Sequence, residues 1–356
     1  MPNKSALFSP LKIRDIVFKN RIFVSPMCQY SANEGIPNEW HLVHLGSRAV
    51  GQAALVMAEA TAVSASGRIS PADTGLWSQS QVETFKTLTR FIKEQGCIAA
   101  VQLAHAGRKA STSEPWRGGK PLSIPQGGWT VWAPSSIPFS SGYPTPQTLK
   151  DEDLSDLVRD FERATQHALL AGFEVLELHM AHGYLLHEFL SPLSNQRQDE
   201  FGGHLENRIR LPLMIVEKVR TLWPKNLPLF VRVSATDWVE GGWDLSQTIS
   251  FVRELGRRGV DLIDVSTGGL VPSAKIPISP GFQVPFATEI KKETSLLTGA
   301  VGLITQAQQA EEIVATEKAD VVFIAREFLR DPYFPIHAAK ELGVEISWPH
   351  QYERAQ

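Results

Sequence analysis

The sequence predicts an α/β protein built as one (β/α)8 TIM barrel, and three observations carry that expectation. Eight short apolar runs rich in Val, Ile and Leu are spread along the 356 residues; they are too continuous for strands with one wet face and suit burial on both faces. Most are separated by segments of helical periodicity, about 10 to 20 residues long, which supply the crossovers that parallel strands need. No G-x-G-x-x-G occurs in the chain, which weakens the rival doubly wound sheet. Length alone would suggest two domains, but barrels commonly exceed the usual single-domain size. The expectation is one domain over residues 1–356.

In chain order the expected strands begin with "IFVSPM" (22–27) and "ALVMAEA" (54–60). The helical segment "SQVETFKTLTRFIKEQG" ends on Gly96, a usual helix stop, and leads into "IAAVQLA" (98–104). Residues 105–150, rich in Pro, Gly, Ser and Trp, break the repeat as a long excursion after strand 3. "DLSDLVRDFERATQHALLAG" then precedes "VLELHMA" (175–181), followed by a second excursion, 184–206. "IRLPLMIVEKVRTLW" precedes "LFVRVSA" (229–235), and "LSQTISFVRELGRRG" precedes "LIDVSTG" (262–268). "GAVGLI" (299–304), "TQAQQAEEIVATEKA" and "VVFIAR" (321–326) complete the repeat, and 342–356 form a C-terminal tail. Loops that follow barrel strands build the active-site face, so both excursions are expected to cover it.

Lys and Arg total 35 and Asp and Glu 38, a net charge of −3 without long runs of either sign. That balance argues against nucleic acid or an anionic membrane as partner. The start "MPNKSALFSPLKIRD" has no apolar signal core and no run is long enough to span a bilayer, so a soluble, cytoplasmic protein is expected. Two cysteines, Cys28 and Cys97, are too few for a disulfide scaffold or a four-thiolate iron-sulfur cluster. Cys97 opens an apolar run and reads as a small buried hydrophobe.

Placing the strands brings Cys28, Tyr30, Glu59, Gln102, His105, His179, His182, Tyr184, Arg232, Ser266 and Arg326 to strand ends at one mouth. Neither a G-x-S-x-G elbow nor a strand-ending lysine is among them. Arginine at the mouth suits a phosphate or a ring that gains negative charge. The loops after strands 7 and 8, "AVGLITQ" and "IAREF", stand where barrels often bind phosphate. For the pair in "HMAHGY" three readings stay open: a metal site, making the protein a metal-dependent barrel hydrolase using His179 and His182; a satisfied structural pair; or two N–H donors to one carbonyl oxygen. H-E-x-x-H is absent and no third ligand has convincing spacing, so no metal is expected.

The stretches "FKNRIFVSPMCQYSA", "QLAHAGRKA", "HMAHGYLLHEFLSPLSNQRQDEFGGHLENR", "VRVSATDW" and "AREFLRDPYF" stand in one order over nearly the whole chain. On them the chain resembles the Old Yellow Enzyme family of FMN-dependent NADPH dehydrogenases and ene-reductases, in the YqjM-type and xenobiotic reductase branch. The resemblance implies noncovalent FMN across the strand ends, with Ser25, Pro26, Met27 and Cys28 along one side and Ala60 and Gln102 at the ring. It places Arg232 at the pyrimidine edge, and Gly302, Ala325 and Arg326 at the phosphate. It implies that His179 and His182 bind the carbonyl oxygen of an activated alkene, or a nitro compound, with Tyr184 as proton donor and Tyr30 reaching the ligand from the other side. Cys28 would tune the flavin and the substrate site. NADPH, or NADH, would reduce the flavin in the same pocket by a ping-pong scheme.

The tail "QYERAQ" is similar to one that lends an arginine, here Arg354, to a neighbouring subunit, implying a homodimer or homotetramer. Two features depart from the family pattern. Ala325 stands where glycine is common, and the tail lacks a closing aromatic.

Overall fold

The computed structural model describes residues 5–356. The barrel strands are β1 (Ile22–Val24), β2 (Leu55–Ala62), β3 (Ile98–Ala104), β4 (Val175–Met180), β5 (Leu229–Ser234), β6 (Leu262–Ser266), β7 (Leu297–Ala300) and β8 (Val321–Ile324). Each pairs in parallel with the next, and β8 pairs with β1, so the sheet closes as a (β/α)8 barrel. Nearly every strand residue is buried, as unbroken apolar runs require.

The helices are α1 (Glu39–Val50), α2 (Gln79–Glu94), α3 (Asp151–Leu170), α4 (Leu185–Leu190), α5 (Leu205–Arg208), α6 (Arg210–Leu222), α7 (Leu245–Arg257), α8 (Val284–Glu293), α9 (Ala307–Ala315), α10 (Arg326–Arg330) and α11 (Phe334–Glu341). α3 illustrates why they form. Leu154, Leu157, Val158, Phe161, Ala164 and Ala168 recur every three or four residues and are all buried, while Asp151, Glu152 and Asp153 occupy the first turn, where negative charge suits the helix dipole. The chain leaves α3 through Gly172 at φ 84°.

The end of the barrel opposite the mouth is plugged. A hairpin, Leu11–Ile13 with Ile16–Phe18, sends Phe18 against Phe23, with ring centroids 4.8 Å apart. Phe23 in turn stacks on Phe230 at 6.4 Å and meets Phe323 edge-on at 5.4 Å. This apolar floor leaves ligand chemistry to the other end.

Two expectations are corrected. The seventh strand begins at Leu297 and ends at Ala300, not at residue 304. After Ala300 the sequence stays apolar, but Leu303 (φ 51°) and Gly302 (φ 118°) both lie in the left-handed region, which turns the chain out of the sheet. The segment 184–206 is not loop throughout, since it opens with α4, buried along its whole length. The excursion 105–150 holds three single-turn 3-10 helices and a two-strand ladder, Trp132–Ala133 with Gln147–Thr148.

Candidate active site

The turn "HMAHGY" leaves the C-terminal end of β4 and is held backbone to backbone. His182 has φ 59° and Gly183 φ 72°; a Cβ on Gly183 would fall 2.3 Å from Gly269 O, so only glycine fits there. The His182 N–H donates to Ser234 Oγ at 2.9 Å, and that hydroxyl donates to Gly268 O at 2.8 Å. The Gly183 N–H donates to His187 Nδ1 at 2.9 Å, leaving the proton of the buried His187 on Nε2, 3.0 Å from Asp237. Asp237 also accepts from Ser191 Oγ at 2.6 Å and from Trp243 N–H at 2.8 Å. The turn is therefore fixed from β5, β6 and the loop behind it.

On this turn the two imidazoles stand edge to face, ring centroids 5.2 Å apart, with the Tyr184 ring 5.0 Å from that of His179. Burial, with Arg232 nearby, holds both histidines well below the ordinary imidazole range, so they are neutral. Burial and the neighbouring Cys28 and Tyr30 push the Tyr184 hydroxyl well above its ordinary value, so it keeps its proton. Among the described residues no three His, Cys, Asp or Glu side chains gather as a metal set, and the hydrolase reading loses its geometric support.

Ser25 is anchored by its N–H to Ile324 O at 2.9 Å, and its Oγ accepts from Arg232 Nη1 at 3.3 Å. Pro26 and Met27 continue half-buried to Cys28. Burial, Asp73 and Glu59 push the Cys28 thiol up, which argues against a thiolate nucleophile. Tyr30, at φ 48°, meets the edge of Trp116 with centroids 5.9 Å apart. Ala60 pairs with Gln102 just past a register shift in β2. Glu59, at that shift, accepts from Gln29 N–H at 2.6 Å and lies 3.5 Å from His41.

Beneath the mouth lies a buried polar layer. Gln102 Nε2 donates to Glu177 at 2.7 Å, and Arg232 Nε lies 3.2 Å from Asp264. Among the described residues Arg232 Nη2 has no hydrogen-bond partner, and it is not sealed in. A cavity of about 170 Å³, lined by Gly302, Leu303, Ala325 and Arg326, sits between the ends of β7 and β8. These features fit a flat ring with an anionic edge and a phosphate tail: a cation lies beneath the mouth, and a small cradle holds the exposed Arg326, which has no ion-pair partner among the described residues.

Arg354 is exposed in the terminal 3-10 helix His350–Ala355. His105 is a brace, its Nδ1 accepting from Gly107 N–H at 3.1 Å, and burial lowers its pKa to about 4. Residue-by-residue reading missed Ser234, Gln283, His187 and Lys109. Lys109 donates to His182 O at 2.8 Å and Gly269 O at 3.1 Å, and its ammonium lies 5.0 Å from the centre of the Tyr184 ring. Burial lowers its pKa to about 8. It lies inside "QLAHAGRKA" beside Arg108, which is also buried and donates to Leu270 O at 2.9 Å, and nothing in the spacing shows that both cations of that stretch turn inward.

Residues 6–345 match the NADH:flavin oxidoreductase / NADH oxidase family. The chain is 47% identical over 353 residues to an NADPH dehydrogenase of Geobacillus sp. (strain WCH70), covering 99% of this chain and 98% of that protein. It is 46% identical over 350 residues to an NADPH dehydrogenase of Bacillus subtilis (strain 168), covering 98% of both. In fold it is similar to morphinone reductase in complex with tetrahydroNAD, with a TM-score of 0.79 and 24% identity over 96% of this chain and 92% of that one.

Proposed function

The chain belongs to the NADH:flavin oxidoreductase / NADH oxidase family and is an FMN-dependent NAD(P)H oxidoreductase of the Old Yellow Enzyme type; from that premise we propose that it reduces the activated C=C bond of α,β-unsaturated carbonyls, and of nitroalkenes, by a ping-pong cycle. The observation that carries the proposal is the pair of neutral imidazoles beside a tyrosine that keeps its proton. FMN held there would, once reduced by NAD(P)H, supply the hydride.

This chain's residues do the remaining work. His179 and His182 donate hydrogen bonds to the substrate's carbonyl oxygen, where negative charge grows as the β-carbon is reduced. Tyr184 holds a proton at Oη and delivers it to the α-carbon. Arg232, whose Nη2 has no hydrogen-bond partner among the described residues, would hold the electron-rich edge of the ring. Ser25, Pro26, Met27, Cys28, Ala60 and Gln102 line that ring, while Gly302, Ala325 and Arg326 hold the phosphate. Tyr30 closes the substrate side. The chain works as one domain, and in a homodimer or homotetramer the exposed Arg354 is offered to the neighbour's mouth. No helix among the described residues is long and apolar enough to cross a membrane.

Stopped-flow absorbance of Tyr184→Phe separates the two halves of the cycle. Flavin reduction by NADPH should stay within about twofold of wild type, and flavin reoxidation by an enone should slow by about 10² or more, the range of a lost general acid. Equal slowing of both halves would remove Tyr184 from the proton-donor role.

A further inference from the structure

Two neutral imidazoles can both donate to one oxygen only if each carries its single proton on the nitrogen that faces that oxygen. For His179 the backbone decides. Its Nδ1 accepts from Ala181 N–H at 3.2 Å, so the proton is on Nε2, which has no hydrogen-bond partner among the described residues and is not sealed in. His182 is turned the other way: Nε2 lies 2.7 Å from Ser266 Oγ, and Nδ1 is the nitrogen without a hydrogen-bond partner among the described residues. Whether His182 meets the substrate as donor or acceptor therefore depends on which of His182 and Ser266 supplies the proton between them.

The surroundings of Ser266 restrict the choice. Gln283 Nε2 donates to Val301 O at 3.1 Å, which turns its Oε1 toward the end of β6. That oxygen accepts the Thr267 hydroxyl at 2.8 Å and lies 3.2 Å from Ser266 Oγ. The Ser266 proton thus has two acceptors in reach, an imidazole nitrogen at 2.7 Å and an amide oxygen, already served by Thr267, at 3.2 Å. If it went to Gln283, His182 would carry its proton on Nε2 and aim the Nδ1 lone pair into the mouth. A lone pair there repels a carbonyl or phenolate oxygen.

We infer that Ser266 is a positioning residue that donates its hydroxyl proton to His182 Nε2 and so holds His182 in its Nδ1–H form, making the histidine pair a two-donor clamp for the substrate oxygen. The inference rests on the carbonyl-clamp function proposed for His179 and His182 and adds the group that lets both act as donors. It also explains why the end of β6 carries two adjacent hydroxyls: Thr267 satisfies Gln283, which frees the Ser266 proton for the imidazole.

The test uses FMN-loaded enzyme carrying ring-15N histidine, titrated with 4-chlorophenol. The His182 signals are assigned by their loss in His182→Asn. In the phenol complex His182 should be protonated at Nδ1. Ser266→Ala should raise the phenol dissociation constant about tenfold, the scale of one charge-assisted hydrogen bond. Ser266→Thr, which keeps the hydroxyl, should restore both the affinity and the Nδ1–H signal, and flavin absorbance reads retention of the fold in each variant. A proton found on Nε2 of His182 in the wild-type complex would overturn the inference, whatever the variants do. So would Ser266→Ala binding phenol within about twofold of wild type. If His182→Ala weakens phenol and Ser266→Ala does not, only the role of Ser266 falls. Unchanged phenol binding by His182→Ala would sink the carbonyl clamp itself.

Discussion

At Gly302 a single added methyl group would be felt on both sides of the cradle between β7 and β8. The φ of Gly302 is 118°, and a Cβ there would lie 2.8 Å from Gln283 Nε2 and 3.2 Å from the Phe282 ring. Gln283 connects this cradle to Ser266 and Thr267, so crowding at 302 reaches the substrate side as well. Gly302→Ala is expected to raise the FMN dissociation constant at least tenfold, because the strained φ and the crowding each cost on the order of 1 kcal/mol. Fluorescence of released flavin measures it, and wild-type retention would contradict the assignment of residue 302 to the cradle. At this scale the sequence was partly legible. His179, His182, Tyr184 and Arg232 could be picked out as polar residues ending apolar strands. Gln283, Ser234 and His187 could not, because each acts through a contact with a residue distant in sequence: Gln283 with Val301, Ser234 with Gly268, and His187 with Asp237.

A buried arginine of the loop after β2 is one of the groups that tie down the excursion after β3. Arg68 lies 5.4 Å from the centre of the Trp77 ring and 5.0 Å from that of Trp129, and donates to Ala65 O at 2.9 Å. Trp129 Nε1 donates to Ser66 O at 2.9 Å. The loop after β2 thus clasps the loop after β3. Arg68→Ala should cost about 1 to 2 kcal/mol, the range for a desolvated cation between aromatic faces. It should also speed proteolytic cleavage within 111–130 while FMN stays bound; unchanged cleavage would count against the clasp. The excursion after β4 is fixed similarly, Asn195 donating to Phe189 O at 2.8 Å and Phe201 O at 2.7 Å, and Arg197 pairing with Asp199 at 2.6 Å. Element positions were legible because burial on both faces leaves an apolar run. The end of β7 was not, since apolar residues continue past it and backbone geometry alone ends the strand.

Across the whole molecule two sets of buried groups respond to pH with opposite sign. Burial lowers His44 to about 3 and His105 to about 4, and lowers His179 and His182. Burial raises Asp73 to about 7, Asp264 to about 6 and Glu188 to about 8, and raises Glu177. Between about pH 4.5 and 6.5 the unfolded chain binds more protons at the histidines and the folded chain more at the carboxylates, so the two slopes offset each other. Above about 6.5 the histidines are neutral in both states, while Glu188 and Asp73 still hold protons only when folded. Stability then falls as pH rises toward 8. Calorimetry of the FMN-loaded protein at constant ionic strength should show Tm nearly level from pH 5 to 6.5 and declining from 6.5 to 8. A rising Tm over the second interval would contradict the raised carboxylates.

The order of eight buried strands and the family of the chain follow from the sequence by itself, because strand burial and the motifs at strand ends are local properties of the chain. Tertiary structure alone decides which nitrogen of each histidine is engaged by the protein, which side chains meet Arg232 and which serine stands against His182. Those outcomes depend on hydrogen bonds between residues far apart in sequence, such as His182 with Ser266 at 2.7 Å and Arg232 with Ser25 at 3.3 Å, and a proton's position is set by the partner that closure of the barrel brings to it.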